Sequence, residues 1–271
     1  IVGLADTAVQ ESRERVRTAI KNSGFDFPRG RVTVNLAPAD IRKEGSGYDL
    51  PIALSVLLSE MHLPNKGVLA KSLFVGELSL EGQVRPVPGI LSMVLAAREH
   101  GFTSVFVPEK NCAESNLVKG IDSYPVRTLA QVFSHLLGRE IITPYTSTPC
   151  DTSAFEEYEY DMAYLRGQGF ARRAMELAAA GGHNVLLSGP PGSGKTLLAC
   201  TFPSILPLLS EEEMIEVTKL YSVAGLLSKH NNLLYTRPFR APHHSASAIA
   251  LVGGGTQPRP GEISLAHRGV L

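Results

Sequence analysis

The sequence predicts a mixed α/β protein in two parts, an N-terminal α+β domain joined to a P-loop nucleotide-binding domain. Helical and strand-like hydrophobic patterns alternate over residues 1–138. The apolar periodicity then lapses over 139–160, which reads as a linker. A glycine-rich run from Gly189 to Thr196 follows an apolar stretch and precedes a helical one, and this places a P-loop domain in 161–271.

Within the first part, residues 7–23 carry a helical pattern. Thr7 and Gln10 have capping-box spacing, Val9, Val16 and Ile20 share one face, and Gly24 is a stop signal. Arg13, Arg15 and Arg17 lie off that face and read as solvated. Val32, Val34 and Leu36 alternate with Thr33 and Asn35 as a half-buried strand. The nearly all-apolar run 49–58 reads as a buried helix starting near Pro51. Residues 73–78 and 84–87 are strand-like around a Glu81-Gly82 turn, a helix covers 89–99, an apolar strand 105–107, and a helix over 129–137 closes the domain. The linker is rich in Thr, Ser and Pro and ends in the acidic, aromatic run 156–160. A helix over 169–180 and an apolar strand over 184–187 then lead into the glycine-rich loop.

Composition bounds the rest. The chain has 271 residues and 44% hydrophobic content, enough for about two domains. Lys plus Arg number 26 and Asp plus Glu number 26, so overall charge points to no nucleic-acid or membrane partner, and any such partner must be read locally. Cys112, Cys150 and Cys200 are odd in number and lack metal-ligand spacing, which suits packing thiols in a reducing cytoplasm. No uncharged apolar stretch approaches the ~20 residues of a membrane span. The chain opens at Ile1 inside an apolar stretch, with no initiator Met, and ends on Gly269-Val270-Leu271, the pattern of an opening buried strand; both ends read as those of a fragment.

Gly189, Pro190, Pro191, Gly192, Ser193, Gly194, Lys195 and Thr196 satisfy G-x-x-x-x-G-K-[ST] in full. Small residues let the backbone wrap a β-phosphate, so that N–H groups and the start of the next helix face the anion. Lys195 is assigned to the β- and γ-phosphates and the Thr196 hydroxyl to Mg2+; these two are the expected catalytic contributors, with ATP and Mg2+ as cofactors. Hydrolysis also needs an acidic pair at the end of a neighbouring strand. The last aspartate is Asp161, and Glu211, Glu212, Glu213, Glu216 and Glu262 follow no apolar strand, so that pair is expected beyond Leu271.

Gly181-Gly182-His183-Asn184, the run from Arg237 through Arg240 and His243-His244 to Ser247, Gly253-Gly254-Gly255, and the run from Arg259 through Glu262 and His267 to Leu271 together resemble the magnesium-chelatase-like branch of AAA+ proteins. Arg42-Lys43-Glu44-Gly45 and Phe74-Val75-Gly76-Glu77-Leu78 separately resemble the Lon protease C-terminal domain, a ribosomal S5 domain 2-like fold. Together the two halves resemble the YifB/ComM family over essentially the whole chain. That resemblance implies a hexameric, cytoplasmic DNA helicase driving branch migration in natural transformation, with single-stranded or branched DNA as partner and no membrane. A magnesium-chelatase-like ATPase acting on a protein partner is the alternative, and a Lon-like peptidase a third.

The peptidase reading meets an obstacle in the residues: alignment on the Lon motifs puts Gly47 at the nucleophile and Met93 at the lysine, and neither side chain can do that chemistry. Ser46 is one place off. His243 and His244 are adjacent, should diverge, and have no third ligand at metal-site spacing. Arg237, Arg240, Arg259 and Arg268 make this the most basic region after the P-loop, which suits phosphate contacts to DNA.

Overall fold

The computed structural model describes residues 1–2, 7–38, 43, 45–59, 66–146, 158–227, 233–255 and 258–271. It divides into two compact units, Ile1–Thr148 and Pro149–Leu271.

In the first unit, α1 (Thr7–Asn22) and α2 (Asp49–Leu58) are followed by α3 (Lys66–Ala70), then β1 (Ser72–Phe74) and a hairpin of β2 (Glu77–Leu78) and β3 (Val84–Arg85). Next come α4 (Ile90–Glu99), β4 (Ser104–Pro108), α5 (Cys112–Ser115), β5 (Asp122–Val126) and α6 (Leu129–Leu136). The sheet is parallel in the order β1-β4-β5. Its register sets Phe74 beside Phe106 and Phe106 beside Tyr124, and the rings stack at 4.7 Å across both pairs. Cross-strand aromatic pairs of this kind fix register as well as bury area. Val16, Ala19 and Ile20 of α1, the inner face of α2, and Val132 and Phe133 of α6 close the core over Phe106.

A buried ion pair joins three of these elements. The Asp49 carboxylate has no exposure and accepts from Arg15 Nε at 2.9 Å, from Arg15 Nη2 at 3.2 Å and from the Leu78 N–H at 3.1 Å. Burial raises its pKa, and the Arg15 and Leu78 donors pull against that rise. Arg15 therefore does not belong to a solvated face; Arg13 and Arg17 are exposed as expected.

Three other expectations change. Residues 73–78 do not form one strand: after β1 the chain turns at Gly76, whose N–H donates to the Gly47 carbonyl at 3.1 Å and whose carbonyl accepts from Leu50 at 3.0 Å. A Cβ at Gly76 would strike the Val84 side chain. The segment around Val34 makes a single parallel bridge, with Val2 donating to Val34 at 2.8 Å and accepting from Leu36 at 2.9 Å. The first residues of the expected linker are packed chain: Ile142 is buried and donates to His135 Nδ1 at 3.0 Å, and Tyr145 donates to the Ser123 carbonyl at 2.7 Å. Cys150, Glu156 and Glu157 of the acidic run, Arg42 and Glu44 lie outside the described residues.

The second unit holds α7 (Gly169–Gly181), α8 (Lys195–Thr201), α9 (Glu211–Ala224), α10 (Ala248–Val252), a hairpin of β6 (Gly253–Gly254) and β7 (Arg259–Pro260), and α11 (Glu262–Leu265). Met162, Met175 and Leu198 form its core beside the P-loop. Ser210 and Glu213 make a complete capping box on α9. The expected strand at 184–187 has no regular secondary structure and joins no ladder, and Leu186 is 93% exposed. A parallel strand takes its hydrogen bonds from neighbours remote in sequence, and none lies alongside it among the described residues. A cavity of about 680 Å3 separates it from Phe239, Ala241, Val270 and Leu271. Val270 is extended as expected, bridged in parallel to Phe239. Among the described residues no helix is long and apolar enough to cross a membrane.

Asp49→Ala leaves the Leu78 N–H unpaired in the core and strands the Arg15 charge, so urea unfolding should show a loss of about 2–3 kcal/mol. A loss under about 0.5 kcal/mol would show that the pair is dispensable. Cys112 is fully buried, and burial pushes its thiol up to about 12. N-ethylmaleimide at about pH 8 should therefore leave the peptide carrying Cys112 unlabelled in the folded chain and label it in guanidinium. Equal labelling in both states would contradict this packing.

Candidate nucleotide-binding site

The P-loop runs between the 184–188 segment and α8. Gly192 and Gly194 adopt φ of 79° and 82°, a left-handed conformation that a side chain would strain, and open space surrounds both α-carbons. This turns the loop back on itself, with Ser193 donating to the Pro190 carbonyl at 3.4 Å. α8 then starts at Lys195, and the first N–H groups of a helix have no acceptor within it. Among the described residues none is provided for the N–H groups of Lys195 and Thr196.

The Lys195 ammonium folds over the loop. It donates to the carbonyls of Gly189 at 2.9 Å and Pro190 at 2.7 Å, and to Ser193 Oγ at 3.3 Å. The Thr196 side chain is exposed on the first turn of α8. Backbone donors without acceptors, a cation held only by neutral oxygens and an exposed hydroxyl suit a bound polyphosphate with Mg2+. Lys195 and the loop N–H groups of residues 192–196 would hold the phosphates, and Thr196 would supply one oxygen to the metal. Mg2+ usually sits on substrate phosphates and one or two protein oxygens. The described residues accordingly need no cage of their own, and they contain no group of three or more His, Cys, Asp or Glu side chains able to hold a metal.

One residue here escapes sequence reasoning. Gln168 caps α7 with a left-handed backbone, φ 55°, and its Nε2 donates to the Ser193 carbonyl at 3.1 Å. It ties the helix before the loop to the loop's apex. A glutamine before a glycine gives no pattern by which that could be read.

The four arginines assigned to DNA are not one free basic surface. Arg237 donates to the carbonyls of Pro207 at 2.5 Å and Arg268 at 2.6 Å and pairs with Glu213. Arg240 grips Glu262 with both arms, at 2.6 and 2.7 Å, and holds that carboxyl below its usual range. Arg268 pairs with Glu216 at 3.0 Å and Glu213 at 3.3 Å. Arg259 alone of the four is exposed with no ion pair among the described residues. The same bonds commit Glu213, Glu216 and Glu262 to structure. His243 and His244 do not diverge: their rings lie 4.1 Å apart, and His243 Nδ1 contacts Ser245 Oγ at 2.6 Å.

In the first unit, Gly47 and Met93 line one cavity of about 690 Å3, with Val87 and Phe102. The positions aligned with a Lon nucleophile and lysine do come together, and they bring no reactive group. Ser46 bonds to the Glu77 carboxylate, and Lys43 is buried and bonded to the Pro38 carbonyl.

Comparison with known proteins agrees with this two-part architecture. A family model described as magnesium chelatase, subunit ChlI, matches residues 161–271, and a second, subunit ChlI of Mg-chelatase, matches residues 1–111. Over its whole length the chain is 50% identical to a Mycobacterium tuberculosis protein, 44% identical to YifB of Escherichia coli and 44% identical to the competence protein ComM of Haemophilus influenzae. It spans about half of each, 53%, 52% and 53% respectively. A Lon protease of Lachnoclostridium phytofermentans is 28% identical over 116 residues, which is 41% of this chain and 14% of that protein. The chain belongs to the YifB/ComM family, and joins a Lon-like α/β unit to a magnesium-chelatase-like AAA+ P-loop unit.

Proposed function

We propose that the protein containing this chain is an ATP-driven AAA+ motor that works on DNA, a cytoplasmic hexameric helicase driving branch migration during natural transformation and recombination. The observation that carries it is the P-loop, whose left-handed glycines, open N–H groups and folded-over lysine form a polyphosphate cradle. The DNA substrate is supported by full-chain similarity to a protein named for competence. Lys195 binds and orients the terminal phosphates and Gln168 steadies the loop, while Thr196 would hold a Mg2+ ion that would supply charge neutralisation for phosphoryl transfer.

A second reading has its own support: a chelatase-like ATPase that remodels a protein partner. The magnesium chelatase model covers the whole P-loop unit, and three of the four arginines offered to DNA are bound internally. Peptide cleavage has no such support, since the Ser46 hydroxyl is committed to Glu77.

DNA-stimulated ATP hydrolysis by the whole protein separates the two. The motor reading expects a rise of about tenfold or more with branched or single-stranded DNA, weakening as salt rises. Stimulation by a protein and none by DNA at any salt would sink it. Lys195→Ala should weaken ATP binding roughly tenfold or more by removing charge-assisted bonds to phosphate, and unchanged affinity and turnover would overturn the site. The chain alone should bind ATP yet turn it over far more slowly than the whole protein, because Glu213, Glu216 and Glu262 after its P-loop are held by arginines.

A further inference from the structure

The first unit holds an arginine-lined cavity that the nucleotide site does not use. It encloses about 550 Å3 between α1 and the chain from Phe27 to Val34, and Arg13, Arg17, Arg29 and Arg31 all line it. Among the described residues no carboxylate lines it, although the chain as a whole carries equal numbers of acidic and basic side chains. All four arginines are exposed. Arg13 has a loose contact with Glu14 at 3.8 Å, both side chains 74% exposed, which counts for little in water. Among the described residues Arg17, Arg29 and Arg31 have no acidic partner. This contrasts with the second unit, where Arg237, Arg240 and Arg268 are paired with glutamates.

Arg17 is also held in place. Its guanidinium lies 5.7 Å from the centroid of the Phe27 ring, a cation–π distance, so one cation is oriented before any ligand arrives. Phe27 itself packs against the core. Arg13 and Arg17 stand one helical turn apart on α1, and Arg29 and Arg31 two residues apart on the opposite wall.

We infer that this cavity binds the phosphodiester backbone of a nucleic-acid strand, without regard to base sequence. Four like charges gathered in one concavity repel each other unless a polyanion lies among them, and the guanidinium fork matches phosphate oxygens two at a time. A lone nucleotide would leave part of the set unneutralised. A flat anionic membrane would not enter a concavity.

The site shares with the proposed motor only its partner, and its test needs no nucleotide. Fluorescence anisotropy of a labelled oligo(dT) of about 20 residues is measured with the full chain across salt concentrations. Four phosphate contacts predict a log–log salt slope of about −2.8, and Arg29→Gln/Arg31→Gln should flatten it by about 1.4 and weaken binding at least tenfold at low salt. Thermal melts confirm that the variant is folded, and Arg29→Lys/Arg31→Lys should keep most of the slope because it keeps the charge. Lys195→Ala should bind the oligonucleotide like the parent. Parental affinity in the glutamine variant would overturn the inference, as would equal competition by free ATP, or capture by phosphatidylserine vesicles without oligonucleotide binding. DNA-stimulated hydrolysis that survives Arg29→Gln/Arg31→Gln with binding intact would keep the motor and discard this site. Arginine-dependent binding without DNA-stimulated hydrolysis would do the reverse.

Discussion

Asp49 shares its two oxygens between the Arg15 guanidinium and the Leu78 N–H, so α1, α2 and β2 meet on one buried charge. An ionised carboxylate cannot stay in a core without such partners, and here both are supplied from segments about thirty residues away in each direction. That contact places the start of α2 against the hairpin. Gly76 then has to bend where it does, because its N–H and carbonyl are claimed by Gly47 and Leu50 on either side of Asp49. Separation of β1 from β2 follows, and with it the parallel sheet on one side and the hairpin on the other. Glu77, brought beside this node, takes up the Ser46 hydroxyl. The residues that would have surrounded a protease nucleophile are thus absorbed into the framework of the fold.

Arginine does two opposed jobs in this chain. In the second unit, long excursions between short helices have few ladder hydrogen bonds to hold them, and guanidinium groups do the holding. Arg237 fastens two carbonyl-bearing turns and Glu213, Arg240 clamps Glu262, and Arg268 reaches back to α9. In the first unit, the core is large enough to stand on apolar packing, and among the described arginines only Arg15 is drawn inward. The other described arginines there remain exposed. Counting basic residues along a segment therefore does not by itself locate anion contact, since what matters is whether a carboxylate already faces the cation.

Elements with a strong period were legible: α1, α2, α4, β4, α6 and α7 lie within a residue or two of their expected bounds, because each buries one face or all of itself. β5 was not foreseen. Its Asp-Ser-Tyr-Pro-Val sequence lacks alternation and holds Pro125, tolerable only because the strand sits at a sheet edge where one side needs no donor. The course of the P-loop was legible, since the positive φ of Gly192 and Gly194 and the helix that follows depend on local backbone and composition. Gln168 and the Arg240 clamp were not, because a left-handed cap and a partner 22 residues away leave no local pattern. The expected strand at 184–187 has the right composition, but a parallel strand is completed by neighbours that local sequence does not specify.

The geometry of Lys195 explains how the loop can be ordered before any anion arrives. Five consecutive small or cyclic residues between Gly189 and Ser193 could not by themselves hold a defined turn, and a bare cluster of N–H groups would lose definition. The ammonium closes the loop by spanning the Gly189 and Pro190 carbonyls, while Gln168 fixes the Ser193 carbonyl from outside. A phosphate in the cradle would compete for the lysine and for the Ser193 N–H, which donates to the Pro190 carbonyl at 3.4 Å. A charge-assisted bond to an anion is stronger than one to a neutral carbonyl, so the lysine transfers to the ligand while the Gln168 tie stays in place. Polyphosphate binding would then exchange one set of lysine contacts for a stronger one on a loop whose course is already set, which lowers the ordering cost.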